Sequence, residues 1–340
     1  MKLESPEARS LAMFMNDWNP IIAMDLHTTD GSFHRFRLTY DSPRHPATDE
    51  PLLKYGRDVF LPGISKQLLA NDAEDRTFFY GNFDRTHENW NSYPAAPRYS
   101  THYFGLRNSF GILSEAYAYI TYRERVEMTY RFVDAILERA AKEKTVIARM
   151  VSEARSRASK EKTVAVQFKP TAFDGMFKVP GYKEEVAGRG RLPKEGDEKT
   201  DYELRYHGIA APTLSVTVPK AYVVPADQAR VIENLKHHGV KLETVKQARE
   251  ETVTAYKITK HELARRAFQG HRMVSDVEVE TDAKKLTLQP GDVIVPTDQP
   301  LARLVVNLLE PQSGDGLCTW NYFDDALESG AYPIMRLERE

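Results

Sequence analysis

Cysteine is nearly missing from this chain: Cys318 stands alone among 340 residues. An internal disulfide and a cysteine-rich zinc site are therefore excluded. Long apolar runs are missing too, and no stretch approaches the roughly 20 residues a membrane span needs; no membrane partner is expected. Neither charge sign dominates, with 47 Lys+Arg against 49 Asp+Glu. Without a basic excess, no nucleic-acid partner is expected. The opening "MKLESPEARS" has no apolar h-region and does not read as a signal peptide. Internal repeats and low-complexity tracts are absent. What remains, 41% hydrophobic and 28% charged, is ordinary globular composition, and the length suggests about two domains.

The chain opens on a helix. Ser5 can cap, Pro6 sits at the first helical position and Glu7 lies in the first turn. Leu11, Phe14, Met15 and Trp18 then follow the i, i+3, i+4, i+7 spacing of an apolar helix face. A start only a few residues ahead of a helix cap predicts that Met1 is internal to a longer parent. "PIIAM" reads as a strand buried on both faces, and "HRFRLTY" as a strand with one covered face. Residues 41–56 read as an irregular loop, "RDVFLPGISKQLLAND" as a helix interrupted at Pro-Gly, and "RTFFYG" as a short strand. Asp84 to Arg98 is a long polar, aromatic loop of the kind that often carries function.

"SFGILSEAYAY" predicts another buried strand, and "YRERVEMTYRFVDAILERA" a helix with Val126, Tyr130, Val133 and Leu137 on one face. Lys142 to Lys162 reads as a solvated helix or linker. Beyond it, alternating segments such as "TVAVQF", "TLSVTV" and "DVEVET" point to antiparallel strands. Two helices interrupt them. "ADQARVIENLKHHG" stops at Gly239, and "QPLARLVVNLLEP" puts Leu301, Leu304, Val305 and Leu308 on one face. The expected architecture is α/β: a partial, mostly parallel mixed sheet over residues 1–160, then a β-rich α+β module over 161–340.

Two segments hold chemistry-bearing residues at strand ends. In "MDLHTTDGSFHR" an apolar run ends in Asp25-Leu26-His27. Ligands of parallel sheets bind beyond the carboxyl ends of strands, which makes His27 a metal-ligand candidate. Asp25, two residues earlier, faces the same side and could orient the imidazole. A polar turn containing a histidine explains the same residues. In "YSTHYFGLRNSFGILSEAYAYITYRERV", Glu115 closes an apolar strand. A buried carboxylate needs a partner: a pocket, a metal-bound water, or an ion pair with Arg107 or Arg123.

Together the two segments resemble the zinc carboxypeptidases, the carboxypeptidase A-like metallopeptidases. "IIAMDLHTTDGSFH" is similar to the segment carrying that family's third zinc ligand, and "YFGLRNSFGILSEAYAY" to the one carrying its catalytic glutamate. The resemblance spans residues 1–140 or so, and 163–340 looks like a C-terminal extension of bacterial members. It implies one zinc ion held in part by His27, and Glu115 as general acid/base acting on a peptide or amide substrate. It also nominates Tyr93 and Arg107 as substrate-binding residues, and implies a secreted or periplasmic parent.

The chain departs from the family where it matters most. None of the ten histidines is followed three residues later by glutamate, so the family's HxxE pair of ligands is not found. Catalytic zinc generally takes three protein ligands. The expectation is therefore a chain missing the N-terminal half of the catalytic domain, with the remaining zinc ligands outside it, inactive alone. Two alternatives stay open. One is a non-catalytic binding or scaffold protein that kept a degenerate form of the fold. The other is an unrelated hydrolase using His34 or His102; no GxSxG elbow supports it.

Overall fold

The computed structural model describes residues 1–29, 31–183 and 197–339. Helix α1 (Pro6–Trp18) leads into β1 (Ile22–Thr29) and β2 (Leu38–Asp41). Next come α2 (Glu50–Lys54), a wide π turn over Tyr55–Phe60, and α3 (Leu61–Asn71). Short strands β3 (Thr77–Phe79), β4 (Asn82–Phe83) and β5 (Asn89–Asn91) precede α4 (Ser100–Leu106), β6 (Phe110–Tyr117), α5 (Tyr122–Lys142) and α6 (Lys144–Ala158). The remainder is β7 (Thr163–Thr171), β8 (Phe177–Tyr182), β9 (Lys199–His207), β10 (Ile209–Thr217) and β11 (Ala221–Val224), then α7 (Ala229–His237). It closes with β12 (Glu243–Thr244), β13 (Arg249–Leu263), β14 (Val274–Leu288), β15 (Val293–Pro296), α8 (Ala302–Leu309), α9 (Asp324–Ser329) and β16 (Met335–Leu337).

The first sheet runs β1-β6-β2-β3. β1 pairs parallel with β6, β6 antiparallel with β2, and β2 parallel with β3. This is the mixed, mostly parallel α/β sheet expected of the first part. Side-chain parity assigns its two faces. Phe110 and Ile112 of β6 join Ile22 and Met24 in a core with α3, α5 and α6. Gly111 lies against Thr101 and Phe104, so odd-numbered β6 residues face α4. The second part carries a six-stranded sheet, β12-β15-β11-β16-β13-β14. One apolar cluster joins both parts, from Met15, Ala23 and Phe104 to Val166, Leu304 and Trp320.

Several expectations are corrected. β1 was expected buried on both faces, but it is the sheet's outermost strand, and Leu26 is 51% exposed. β2 was expected half-covered; all four residues are buried, Leu38 and Tyr40 in the core with α3, α5 and α6, and Asp41 on the other face against Arg44 and Ser92. The supposed loop at 41–56 holds the start of a helix at Glu50. No break occurs at Pro62-Gly63. The π turn ahead of α3 places Pro62 in its first turn, where its missing N–H removes no helical bond. A Cβ at Gly63 would sit 1.4 Å from Nη1 of Arg139, so that guanidinium would have to swing aside to admit a side chain.

The apolar stripes read on α1 and α5 exist but lie open. On α1, Ala12 and Met15 are buried while Leu11, Phe14 and Trp18 are exposed. On α5 the buried set is Met128, Phe132, Ala135 and Ile136; of the expected face, Val126, Tyr130 and Leu137 are exposed and Val133 is half-buried. α6 is a packed helix rather than a linker, burying Ile147, Val151, Ala154 and Ala158 beneath its charges.

α7 stops where Gly239 adopts φ +75°. A Cβ there would also approach Asn16 Oδ1 to 2.5 Å. Gly239→Ala is expected to cost about 1–2 kcal/mol, the usual cost of a left-handed L-residue, read as a lowered urea midpoint. A midpoint unchanged from wild type would remove this explanation of the glycine.

Candidate functional site

The carboxyl ends of β1 and β6 bring the two sequence candidates side by side. In the parallel register His27 is the Cα partner of Glu115, one strand spacing or about 4.8 Å away. Both residues are odd-numbered on their strands and face α4. Asp25, one pleat earlier on the same face, pairs with Leu113. β1 ends the sheet, so His27 is half exposed, while Glu115, between β1 and β2, is half buried.

The imidazole is held. His27 Nε2 bonds Asp25 Oδ1 at 2.8 Å. The Ser100 hydroxyl, at the first residue of α4, donates to the other carboxylate oxygen, Asp25 Oδ2. Burial alone would lower the His27 pKa; the hydrogen bond and charge of Asp25, with the charge of Glu115, outweigh it and raise it. An acidic edge therefore surrounds this histidine.

Tyr93 belongs to the same neighbourhood. Arg44 Nη2 donates to its carbonyl at 2.6 Å, and the guanidinium lies 4.8 Å over its ring. Arg44 Nε in turn donates to the buried Asp41 at 2.7 Å. Burial, then the charge of Asp41 and, further down, that of Glu115 hold the Tyr93 hydroxyl well above its usual pKa, against the opposing charge of Arg44. The phenol stays protonated and can act as a hydrogen-bond donor.

Arg107 is not brought to this edge, which corrects its nomination as a carboxylate-binding residue. It follows α4, ahead of β6, whereas Glu115 lies five residues into the strand from Phe110, about 17 Å further along. Its guanidinium is buried, donating to His238 O at 2.8 Å, Tyr103 Oη at 3.2 Å and Asn16 Oδ1 at 2.9 Å. It braces α1 and α4 against α7. Arg123, the other arginine weighed for Glu115, bonds Glu127 at 2.7 Å on α5.

The histidines of the unrelated-hydrolase alternative are both interior. His34 is 1% exposed, and burial drives its pKa down to about 3; its ring packs 4.4 Å from Tyr117. His102 is fully buried, with Nδ1 accepting from the Arg44 backbone at 3.1 Å. Neither reaches solvent as a base.

Sequence reasoning missed Ser100 and the Asp41–Arg44 pair. The D-x-x-R spacing was a faint signal for the pair. Ser100 carried none, since its contact spans 75 residues.

Zinc can be weighed against these donors. Among the described residues no group of three His, Cys, Asp or Glu is placed to hold a metal ion. One imidazole, with Asp25 engaged on its Nε2, does not make a zinc site. The described residues therefore do not fit a complete zinc centre, and no chemical step through zinc is derived for this chain.

No family model matches the chain, and no solved structure matches it. Carboxypeptidase 2 of Trichophyton rubrum is 27% identical over 130 residues. That alignment spans 38% of this chain, which covers only about a quarter (24%) of the relative's length. The chain thus has a distant, partial relationship to a carboxypeptidase.

Proposed function

We propose that this chain is the C-terminal part of a zinc-dependent metallocarboxypeptidase, which hydrolyses a peptide or amide bond near a chain end. The observation that carries the reading is the pairing of His27 with Glu115 at the carboxyl ends of two parallel strands. In this reading His27 supplies one ligand, and the other ligands come from polypeptide outside the chain. Glu115 takes a proton from the attacking water and returns it to the leaving amine. Tyr93 contacts substrate. The complete enzyme is exported.

The open side of the sheet supports the reading. Among the described residues no strand pairs with the outer edge of β1, and Ile21 and Leu26 are exposed there. Bare parallel edges of this kind are normally covered. An N-terminal half docking there would extend the sheet and place its donors beside His27.

The test compares the 340-residue chain with a longer one that includes the in-frame sequence upstream of Met1. The short chain is expected to hold no stoichiometric zinc and to hydrolyse no peptide; the longer one is expected to do both. Zinc-dependent turnover by the 340-residue chain alone would sink the proposal.

The lack of a three-donor group among the described residues favours a second reading, a non-catalytic binding or scaffold protein with a degenerate carboxypeptidase fold. It predicts no HxxE motif upstream, no zinc at any length, and no functional effect of His27→Gln or Glu115→Gln.

A further inference from the structure

β14 is the last strand of the six-stranded sheet, and among the described residues no strand pairs with its outer edge. Its first residues are occupied: the Val274 amide donates to Thr319 O at 3.1 Å, and Gln312 Nε2 donates to Val277 O at 2.9 Å. Beyond them Glu278 and the run from Glu280 to Lys285 are exposed. Register shifts against β13 are confined to the hairpin tip, past Ile258; from the pair Lys257–Glu280 down to Arg249–Leu288 the ladder is regular. A long regular edge is a template for another strand unless its charges keep that strand off. Here the charges are sorted by sign: Glu278, Glu280 and Asp282 precede Ala283, and Lys284 and Lys285 follow it. A strand so sorted matches its own copy laid antiparallel, because each acidic half then meets a basic half. Within one protomer Asp282 sits across from Ala255 and Lys284 across from Val253, so neither has a charge opposite it on β13.

We propose that β14 is a self-association edge, on which a second copy of this chain pairs antiparallel about a two-fold axis at Ala283. A two-fold axis that keeps both copies in one sheet stands perpendicular to it. Residues directly opposed then share a face, so their numbers have equal parity. An axis at Asp282, Lys284 or Lys285 sets a charged residue against itself, and an axis at Thr281 sets Glu280 against Asp282. Like charges directly opposed are destabilising. With the axis at Ala283, Asp282 of one protomer meets Lys284 of its partner, twice by symmetry, and Glu280 lies diagonal to the same lysine. On the other face Ala283 meets itself, Thr281 meets Lys285 and Val279 meets Thr287, with no like charges opposed. A single strand pair buries less than the roughly 1,200 Å² of a standard stable interface, so the dimer is weak and concentration-dependent. The proposal does not rest on the peptidase reading.

The test is sedimentation velocity of the 340-residue chain over a concentration series, with disulfide cross-linking as a second measurement. Wild type is expected to dimerise with rising concentration and to dissociate as salt screens the paired charges. Lys284→Asp sets two pairs of carboxylates face to face and is expected to raise the dimer Kd by about 10-fold or more. Adding Asp282→Lys to it exchanges the signs and is expected to restore most of the association. Ala283→Cys is expected to give a disulfide-linked dimer under oxidised glutathione, because Cα atoms opposed at the axis lie about 4.5–5.5 Å apart. Thr281→Cys is expected to give none, since its two copies stand about 14 Å apart. The native Cys318 is buried and does not compete. All four substituted positions are exposed, so the variants are expected to keep the fold. A chain monomeric up to about 1 mM, a dimer unaffected by Lys284→Asp, or cross-linking as efficient at 281 as at 283 would overturn the proposal.

Discussion

If the chain is part of the peptidase proposed above, Glu115→Gln in the longer protein is expected to lower kcat by about 10²–10⁴-fold, the usual contribution of a general base. That corresponds to roughly 3–5 kcal/mol of transition-state stabilisation. Glutamine keeps the shape of the side chain but cannot take a proton. The substitution should therefore leave the fold and the zinc content unchanged, as read by circular dichroism and metal analysis. His27→Gln is expected to differ, losing metal and turnover together. On the proposed reading the contrast separates an acid–base group from a ligand on adjacent, paired strands. Retention of more than half the turnover in Glu115→Gln would remove Glu115 from the mechanism.

Asp49→Ala is expected to destabilise the fold where charged residues tie the two parts together. The buried Asp49 carboxylate accepts from Arg157 Nε and Nη2 at 2.8 and 2.9 Å and from Arg303 Nη2 at 3.2 Å. It also caps α2 through the Leu52 amide. Arg303, 5% exposed on α8, otherwise reaches Glu161 and Asn108. Removing the carboxylate leaves buried Arg303 paired with Glu161 alone and the half-exposed Arg157 with Glu153, so the loss is that of hydrogen bonds to charged groups, about 1.5–3 kcal/mol.

The same site sets a pH dependence. Burial alone would raise the Asp49 pKa; the hydrogen bonds of Arg157 and the charge of Arg303 outweigh it and lower it. A lowered folded pKa means the contribution is complete above the unfolded value of about 3.9. It is lost as pH falls through the lower, folded value. Urea unfolding of wild type and Asp49→Ala should thus differ most near neutrality and converge at strongly acidic pH. A gap that stays constant on acidification would refute the ionic origin.

Helix and strand positions in the first part were largely legible from local pattern. Ser5 accepts from the Ala8 amide as an N-cap, and α1 ends at Trp18, the last residue of its periodic stripe. β6 occupies the apolar run before Glu115. Periodicity misjudged coverage, not helicity. Leu11, Phe14 and Trp18 do share a face, but which face meets a neighbour depends on what else packs there. β2 failed the other way, because Thr39 and Asp41 look like solvent-facing positions and yet are buried. A four-residue inner strand shows alternation in sequence whether or not its polar face is covered.

The site divides along the same line. His27 and Glu115 could be singled out as strand-end residues because an apolar run stopping at a charged or imidazole side chain is a short-range signal. Their adjacency was not readable: it depends on β1 and β6 pairing in parallel across 88 positions, and a one-residue slip would turn Glu115 to the other face. Arg107 looked as plausible beside Glu115 as anywhere, being eight residues away in sequence, but eight residues of turn and extended strand carry it to the far end of the sheet. Ser100 had no local mark at all, because its contact with Asp25 exists only once α4 lies across the sheet. Spacing along the chain decides helix, strand and side-chain parity, all set by bonded geometry within a few residues. Which strand edge stays open, which arginine is buried and which oxygen orients the imidazole are decided by packing between segments far apart in the chain.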